Sequence, residues 1–315
     1  MWKILRVLLL YLVAPIVALS VIGVLWLRMD AARPLEGYFD TRKGQVTGVA
    51  GSSATDNFGQ VSQLLTIVSN SGLNVTFRVI RPAEPASTLP VLMILGGHRT
   101  GSDAVDLFGN VGNRAVVALD YPYEGEEKVR GFLQIMETLP LARKAFTDTP
   151  PAASLVLDWL DEQPWVNHDD VVIVGASLGV PFAALIAARD TRITGTMLVH
   201  GAADNERWLE AQIARRIDAR LLHRPLATLV YWMAYGPTFD TAVNIARVAP
   251  RAVIIVGATD DERTPVGETE ALFAAAEKPK ILRWTDGQHV QPNRSDVINS
   301  LLAIVDEELP LRTVE

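Results

Sequence analysis

Apolar positions along this chain gather into short continuous runs, with helix-like stretches between them. Residues 91–95, 115–119, 171–174, 194–199, 251–257 and 279–285 are rich in Val, Ile, Leu or Ala, and most are bounded by Gly, Asp or Pro. Runs of that length without a polar face suit strands buried on both sides, as in the interior of a parallel sheet. Two strands at about 60–69 and 73–81 flank Ser69-Asn70-Ser71-Gly72, which reads as a hairpin turn. Residues 182–188 have a helix-forming composition, Pro150 and Pro151 open a helix with Leu155, Trp159 and Leu160 on one side, and a closing helix covers about 295–308. Residues 128–147 are amphipathic without clear end signals. Strands alternating with helices imply right-handed crossovers. The pattern therefore predicts an α/β chain: a mostly parallel twisted sheet, helices on both faces, and the early hairpin antiparallel at one edge.

Two stretches depart from that rhythm. From residue 7 to 27 there is no charged residue, with Lys3 and Arg6 before and Arg28 and Asp30 after. As a helix rising about 1.5 Å per residue it is roughly 30 Å long, the thickness of a bilayer's hydrocarbon core. Residues 1–29 are thus expected to be a retained single-pass anchor, touching a lipid bilayer through 7–27. A removed signal peptide is the alternative, with Asp30-Ala31-Ala32 as its cleavage site. The short basic tail ahead of the span favours a domain on the non-cytoplasmic side. Residues 30–56, with Pro34, Gly44, Gly48 and Gly51-Ser52-Ser53, show no sustained periodicity and read as a linker, leaving 57–315 as the globular domain. The second departure is an insert at about 202–249. There Leu209, Ile213, Ile217 and Leu221 recur at i, i+4 opposite Arg207, Arg215, Arg216 and Arg220, and 226–235 is apolar and aromatic. It reads either as surface helices on the sheet ends or as a lid over a site at those ends.

Charge and cysteine count narrow the chemistry. A formal net charge of −7 over 315 residues, without a basic cluster, argues against nucleic acid as a partner. The absence of cysteine excludes a disulfide framework, a thiol nucleophile and thiolate-bound metals. No His-rich ligand set suggests a metal, and no cofactor is expected.

The chemistry centres on Gly175-Ala176-Ser177-Leu178-Gly179, which directly follows the 171–174 run and precedes a helix. A serine on a strand-to-helix turn is lifted clear of the sheet, with the helix N-terminus aimed at it. Flanking glycines let the neighbouring backbone approach. A hydroxyl needs a base within hydrogen-bond reach, and that base needs an orienting group. Of five histidines, His289, after the last strand and before the final helix, is best placed to swing over the strand ends. His98 and His200 also follow strands and are secondary choices. His168 precedes the elbow strand and His223 belongs to the insert. For the orienting acid, the 251–257 strand leads into Asp260-Asp261-Glu262-Arg263-Thr264-Pro265, so either aspartate qualifies. Asp261 is preferred over Asp260 for its spacing from Pro265, and Asp204 is a further option. An oxyanion would be received by the Leu178 N–H and by that of Gly97 or His98, in the loop after the 91–95 strand.

Together, Gly96-Gly97, Gly175-Ala-Ser-Leu-Gly179, Gly257-Ala-Thr-Asp-Asp-Glu-Arg-Thr-Pro265 and Gly287-Gln-His289 resemble the α/β-hydrolase superfamily over about residues 60–310. The pattern is nearest to dienelactone-hydrolase-like and prolyl-oligopeptidase-like serine esterases. It departs from the hormone-sensitive-lipase type in having Leu-Gly-Gly-His where that type has His-Gly-Gly-Gly. The resemblance implies oxyanion loop, nucleophile, acid and base in this chain order, and a small-molecule ester or acyl substrate cleaved through an acyl-enzyme. A peptidase, an acyltransferase using the same three residues, and a non-catalytic membrane-tethered binding protein are the competing expectations.

Overall fold

The computed structural model of the chain describes residues 2–55, 59–97, 100–126 and 132–308. Its elements are α1 (Trp2–Ala31), α2 (Glu36–Lys43), β1 (Val46–Thr55), β2 (Gln60–Ser69), β3 (Asn74–Pro82), β4 (Leu89–Leu95), β5 (Ala115–Leu119), α3 (Phe132–Asp161), β6 (Val166–Ala176), α4 (Gly179–Arg189), β7 (Gly195–Val199), α5 (Asn205–Ala214), α6 (His223–Met233), α7 (Thr241–Ala246), β8 (Ala252–Ala258), α8 (Glu268–Ala275), β9 (Lys280–Thr285) and α9 (Ser295–Glu308). The strands form one sheet in the order β1-β2-β3-β5-β4-β6-β7-β8-β9. Pairing is antiparallel from β1 to β5 across β2 and β3, and parallel from β5 through β4 to β9.

The continuous apolar runs have the predicted cause. Along β4, Val91, Met93 and Leu95 pack on one face with α3 and α4, while Leu92 and Ile94 pack on the other with α9 and the 3-10 helix Ser102–Phe108. Both faces of the sheet are covered, so the central strands are apolar along most of their length, with Thr196 in β7 a buried exception. The carboxyl ends of the parallel strands all open on one side, where the functional loops gather.

Two expectations need correction. Residues 30–56 are not a structureless linker, since α2 and β1 occupy most of that stretch. β1 is exposed along its whole length and is held by its backbone ladder to β2, so its side chains carry no hydrophobic pattern. α2 is anchored by buried Phe39 and by Arg42, which grips Asp148 with Nε at 2.9 Å and Nη2 at 2.8 Å. The other correction is α3, one helix running through Pro140, Pro150 and Pro151 where a helix start was expected at Pro150. Pro150 and Pro151 cannot donate to the Phe146 and Thr147 carbonyls, and in the preceding turn the Thr147 and Thr149 hydroxyls bond back to carbonyls of Arg143, Lys144 and Ala145. Burial of Ala152, Ala153, Leu155 and Val156 against the sheet holds the helix through the break.

The Asp148 carboxylate is fully buried, and Arg42→Ala removes its two-pronged partner while leaving only the Tyr38 hydroxyl and the half-exposed Lys144, so it is expected to cost about 2–3 kcal/mol of stability. Lys43→Ala, beside the half-exposed Asp158, is expected to cost under about 0.5 kcal/mol. Denaturant melts of the two variants check the ranking, and equal costs would show that the Arg42 pair does not hold α2.

Candidate active site

β6 ends at Ala176 and α4 begins at Gly179, so the chain reverses within two residues. Ser177 takes up the strain with φ at 53° in the left-handed region, a conformation costing on the order of 1–3 kcal/mol for a non-glycine residue. The turn is compressed on both sides. A Cβ on Gly179 would stand 2.0 Å from the Leu95 carbonyl oxygen, and one on Gly175 would stand 2.6 Å from the Ala183 Cβ. Glycine at both positions is a packing requirement, because α4 starts directly on top of β4 and β6. Leu178 is the N-cap of α4, so its N–H lies among the first-turn donors that have no intrahelical partner. Gly97 lies alongside, with its Cβ direction facing the Ser177 side chain. His98 lies outside the described residues.

The loops after β8 and β9 bring two side chains to this serine. His289 is completely buried, with Nε2 2.7 Å from Ser177 Oγ and Nδ1 2.9 Å from Asp261 Oδ2. Because a carboxylate only accepts, Nδ1 carries the proton and Nε2 is left to accept from the Ser177 hydroxyl. Burial alone would raise the Asp261 carboxyl. The His289 ring and the backbone N–H groups of Thr264 and Arg263 outweigh that and hold it below its ordinary value. Asp260 is exposed and takes part only through its own N–H, donated to the Gly287 carbonyl. Of the two aspartates it is Asp261 that meets the imidazole. Asp204 instead caps α5, accepting from the Arg207 N–H.

A second layer fixes the His289 loop. The His289 N–H donates to Glu262 Oε2 at 2.9 Å, and Arg294 bonds both Glu262 Oε1 and the His289 carbonyl. His200 completes it. This residue follows β7, is fully buried, and has φ at 52°. Its Nδ1 accepts from the Val290 N–H at 2.8 Å, so Nε2 carries the proton and donates to Thr285 Oγ1 at 3.0 Å. Burial, aided by the neighbouring His289, pushes the His200 imidazole down to about 4, and it stays neutral. Donor atoms of His200, Asp261 and His289 lie within 4.8 Å of one another, the spacing of a metal site. Each is already committed to the bonds above, and a cation there would break them. Sequence reasoning kept His200 only as a possible base; its part as a brace depends on a Val290 amide that no motif announces. Neither Glu262 nor Arg294 was singled out.

An apolar cavity of about 110 Å³ opens beside Ser177. Phe146 and Phe239 line it together with Trp208, Leu209, Val230 and Tyr231 from α5 and α6. The insert therefore forms a wall of the site, and its aromatic residues Trp208 and Tyr231 face the cavity. Tyr235 instead packs under Arg143, whose guanidinium lies 4.5 Å from its ring centre. Across Leu178 and Phe146 lies a wider cleft of about 710 Å³ that includes Thr100, Asp103, Asp120, Tyr121, Tyr123 and Glu126.

No family model matches the chain, and no curated protein is similar to it in sequence. Solved structures do resemble it. An acetyl xylan esterase from Paenibacillus sp. R4 is 14% identical, with 86% of this chain and 93% of that one covered at a TM-score of 0.63. Acetyl xylan esterase 1 from Thermoanaerobacterium sp. JW/SL YS485 is 18% identical, covering 86% and 91% at 0.60. A cold-adapted esterase from an Arctic intertidal metagenomic library is 17% identical, covering 83% and 99% at 0.57. The chain has the α/β-hydrolase fold.

Neutral His200 carries a pH signature. An unfolded imidazole takes up its proton near 6.5, whereas folded His200 holds off until about 4, so stability falls as pH drops through that window. Asp261, held low, is lost only below the ordinary carboxylate range. His200→Gln is expected to flatten the loss between pH 6.5 and 4 by roughly 2–3 kcal/mol, measured by denaturant melts across that range. An unchanged slope would show that His200 is not held neutral.

Proposed function

We propose that the chain is a membrane-anchored serine esterase cleaving a carboxylic ester with a small acyl group through an acyl-enzyme. The observation that carries this reading is the unbroken hydrogen-bond line from Ser177 Oγ through His289 to Asp261. As the Ser177 oxygen bonds to the ester carbonyl carbon, its proton passes to His289 Nε2. Asp261 keeps hold of Nδ1–H and stabilises the imidazolium. The Leu178 and Gly97 N–H groups receive the oxyanion, each contributing about 3 kcal/mol to the transition state. Collapse expels the alcohol, protonated by His289, and a water deprotonated by the same imidazole releases the acid. The fold neighbours named above are esterases, which agrees with this chemistry.

Cavity size supports the acyl preference. At about 110 Å³ the pocket beside Ser177 is smaller than an apolar cavity of about 150 Å³ that accommodates benzene. It suits an acyl group of a few carbons, leaving the wider cleft for the alcohol side. Residues 202–249 act as the lid. α1 is a retained anchor: Val13–Ala31 is long and apolar enough to cross a bilayer, with a mean hydropathy of 1.7. The would-be cleavage site is occupied, with Ala31 buried and Asp30 paired to Arg143 at 2.6 Å.

A fluorophosphonate probe is expected to label the protein, with all labelling lost in Ser177→Ala; labelling that survives overturns the reading. Asp261→Asn should lower kcat about 10³- to 10⁴-fold, while Asp260→Asn stays within about twofold. Among p-nitrophenyl esters, acetate and butyrate should exceed octanoate by roughly tenfold or more in kcat/KM. Faster turnover of octanoate would contradict the assignment of the small cavity to the acyl group.

A further inference from the structure

The α5–α6 hairpin is more than a wall of the cavity. Its tip, residues 215–224, projects from the domain with Leu221 92% and Leu222 49% exposed. Around these leucines stand Arg216, Arg220 and Arg224, all exposed, and none has an acidic partner among the described residues. Arg215 is tied to the Glu262 carbonyl, and Asp218 is the one acid at the tip. The patch is cationic on a chain whose net charge is −7. Its base is tied to α1. The two helices pack together, Arg33 donates to the Tyr235 hydroxyl at 2.8 Å just past the end of α6, and Asp30 pairs with Arg143 beneath that ring. The apolar helix therefore leaves the domain alongside the hairpin, with no slack between them.

We propose that the tip of this hairpin seats on the bilayer that α1 crosses, with Arg216, Arg220 and Arg224 among anionic headgroups and Leu221 and Leu222 in the interfacial layer. The inference rests on the reading that α1 is a retained membrane span. A cationic rim around exposed leucines is the composition that binds an anionic interface. Each arginine near such a surface adds roughly a fivefold gain in partitioning. Because α1 already holds the domain at the membrane, that modest gain acts at high effective concentration. The consequence is a lid whose free end is fixed by lipid, with Trp208, Val230 and Tyr231 presented to the cavity in a membrane-dependent arrangement.

The cysteine-free sequence makes the test clean. Full-length protein carrying Leu221→Cys, labelled with an environment-sensitive fluorophore, is reconstituted into vesicles containing nitroxide lipid, with and without phosphatidylglycerol. Glu84→Cys, in the exposed loop before β4 at the opposite end of the sheet from Ser177, is the control. The expected result is quenching at least threefold stronger at position 221 than at 84 in anionic vesicles. It should fall to the control level in the triple variant Arg216→Gln, Arg220→Gln, Arg224→Gln, with Ser177 still labelled by fluorophosphonate. Equal quenching at 221 and 84 in protein that resists alkaline carbonate extraction overturns the tip contact and leaves the anchor intact. Quenching that survives the triple variant overturns the role of the arginines. Protection of position 221 that appears only at high protein density assigns the tip to a second copy and overturns the proposal. Release by carbonate overturns the anchor and this inference with it.

Discussion

The close seating of α4 on the ends of β4 and β6 is the constraint from which the site follows. Gly179 lies so near the Leu95 carbonyl that no side chain fits between them, and Gly175 meets Ala183 in the same way. With the helix this close, the connecting residues cannot relax, and Ser177 is forced into a left-handed backbone. The strain is offset by burial of α4, where Val180, Phe182, Ala183, Ala184 and Ile186 all enter the core. What the protein gains is a hydroxyl pushed clear of the sheet with a helix N-terminus beneath it. A looser βα turn would keep the same residues and lose that alignment.

The second requirement is a histidine that stays put. His289 hangs on a loop between β9 and α9, and a loop alone would not hold a ring to a few tenths of an ångström. Here both backbone polar groups of His289 are bonded, to Glu262 and Arg294, and the next amide is bonded to His200. His200 can do this only as a neutral ring, because its Nδ1 must accept. Its burial and its hydrogen bond to Thr285 keep it so. It thus fixes the backbone next to His289. The left-handed residues that close β6 and β7, Ser177 and His200, mark adjacent strands where the same edge of the sheet carries strain for the site.

How much of this was legible follows from what leaves a trace in side chains. Buried parallel strands announce themselves because both faces are apolar, and the elbow is readable because Gly175, Ser177 and Gly179 have steric reasons to be there. Asp261 and His289 stand out by their place after successive strands, the preference over Asp260 resting on the spacing to Pro265, and the structure brings both to Ser177 in one hydrogen-bonded line. β1 left no trace, since its contribution is a backbone ladder under exposed side chains. α3 extends past Pro150, where the sequence points to a helix start, because proline breaks a helix only locally and burial of Ala152, Ala153, Leu155 and Val156 holds it through the break. The brace formed by His200, Glu262 and Arg294 was invisible for a different reason: it joins residues far apart in the chain through main-chain atoms.

The central claim is that Ser177 is the reacting atom and that the strained turn cradles the charge developing next to it. A crystal structure of the phosphonylated protein tests that claim most directly. The account predicts phosphorus bonded to Ser177 Oγ, with the phosphoryl oxygen about 2.7–3.1 Å from the Leu178 and Gly97 N–H groups. An adduct on another residue, or a phosphoryl oxygen turned away from both amides, would contradict it.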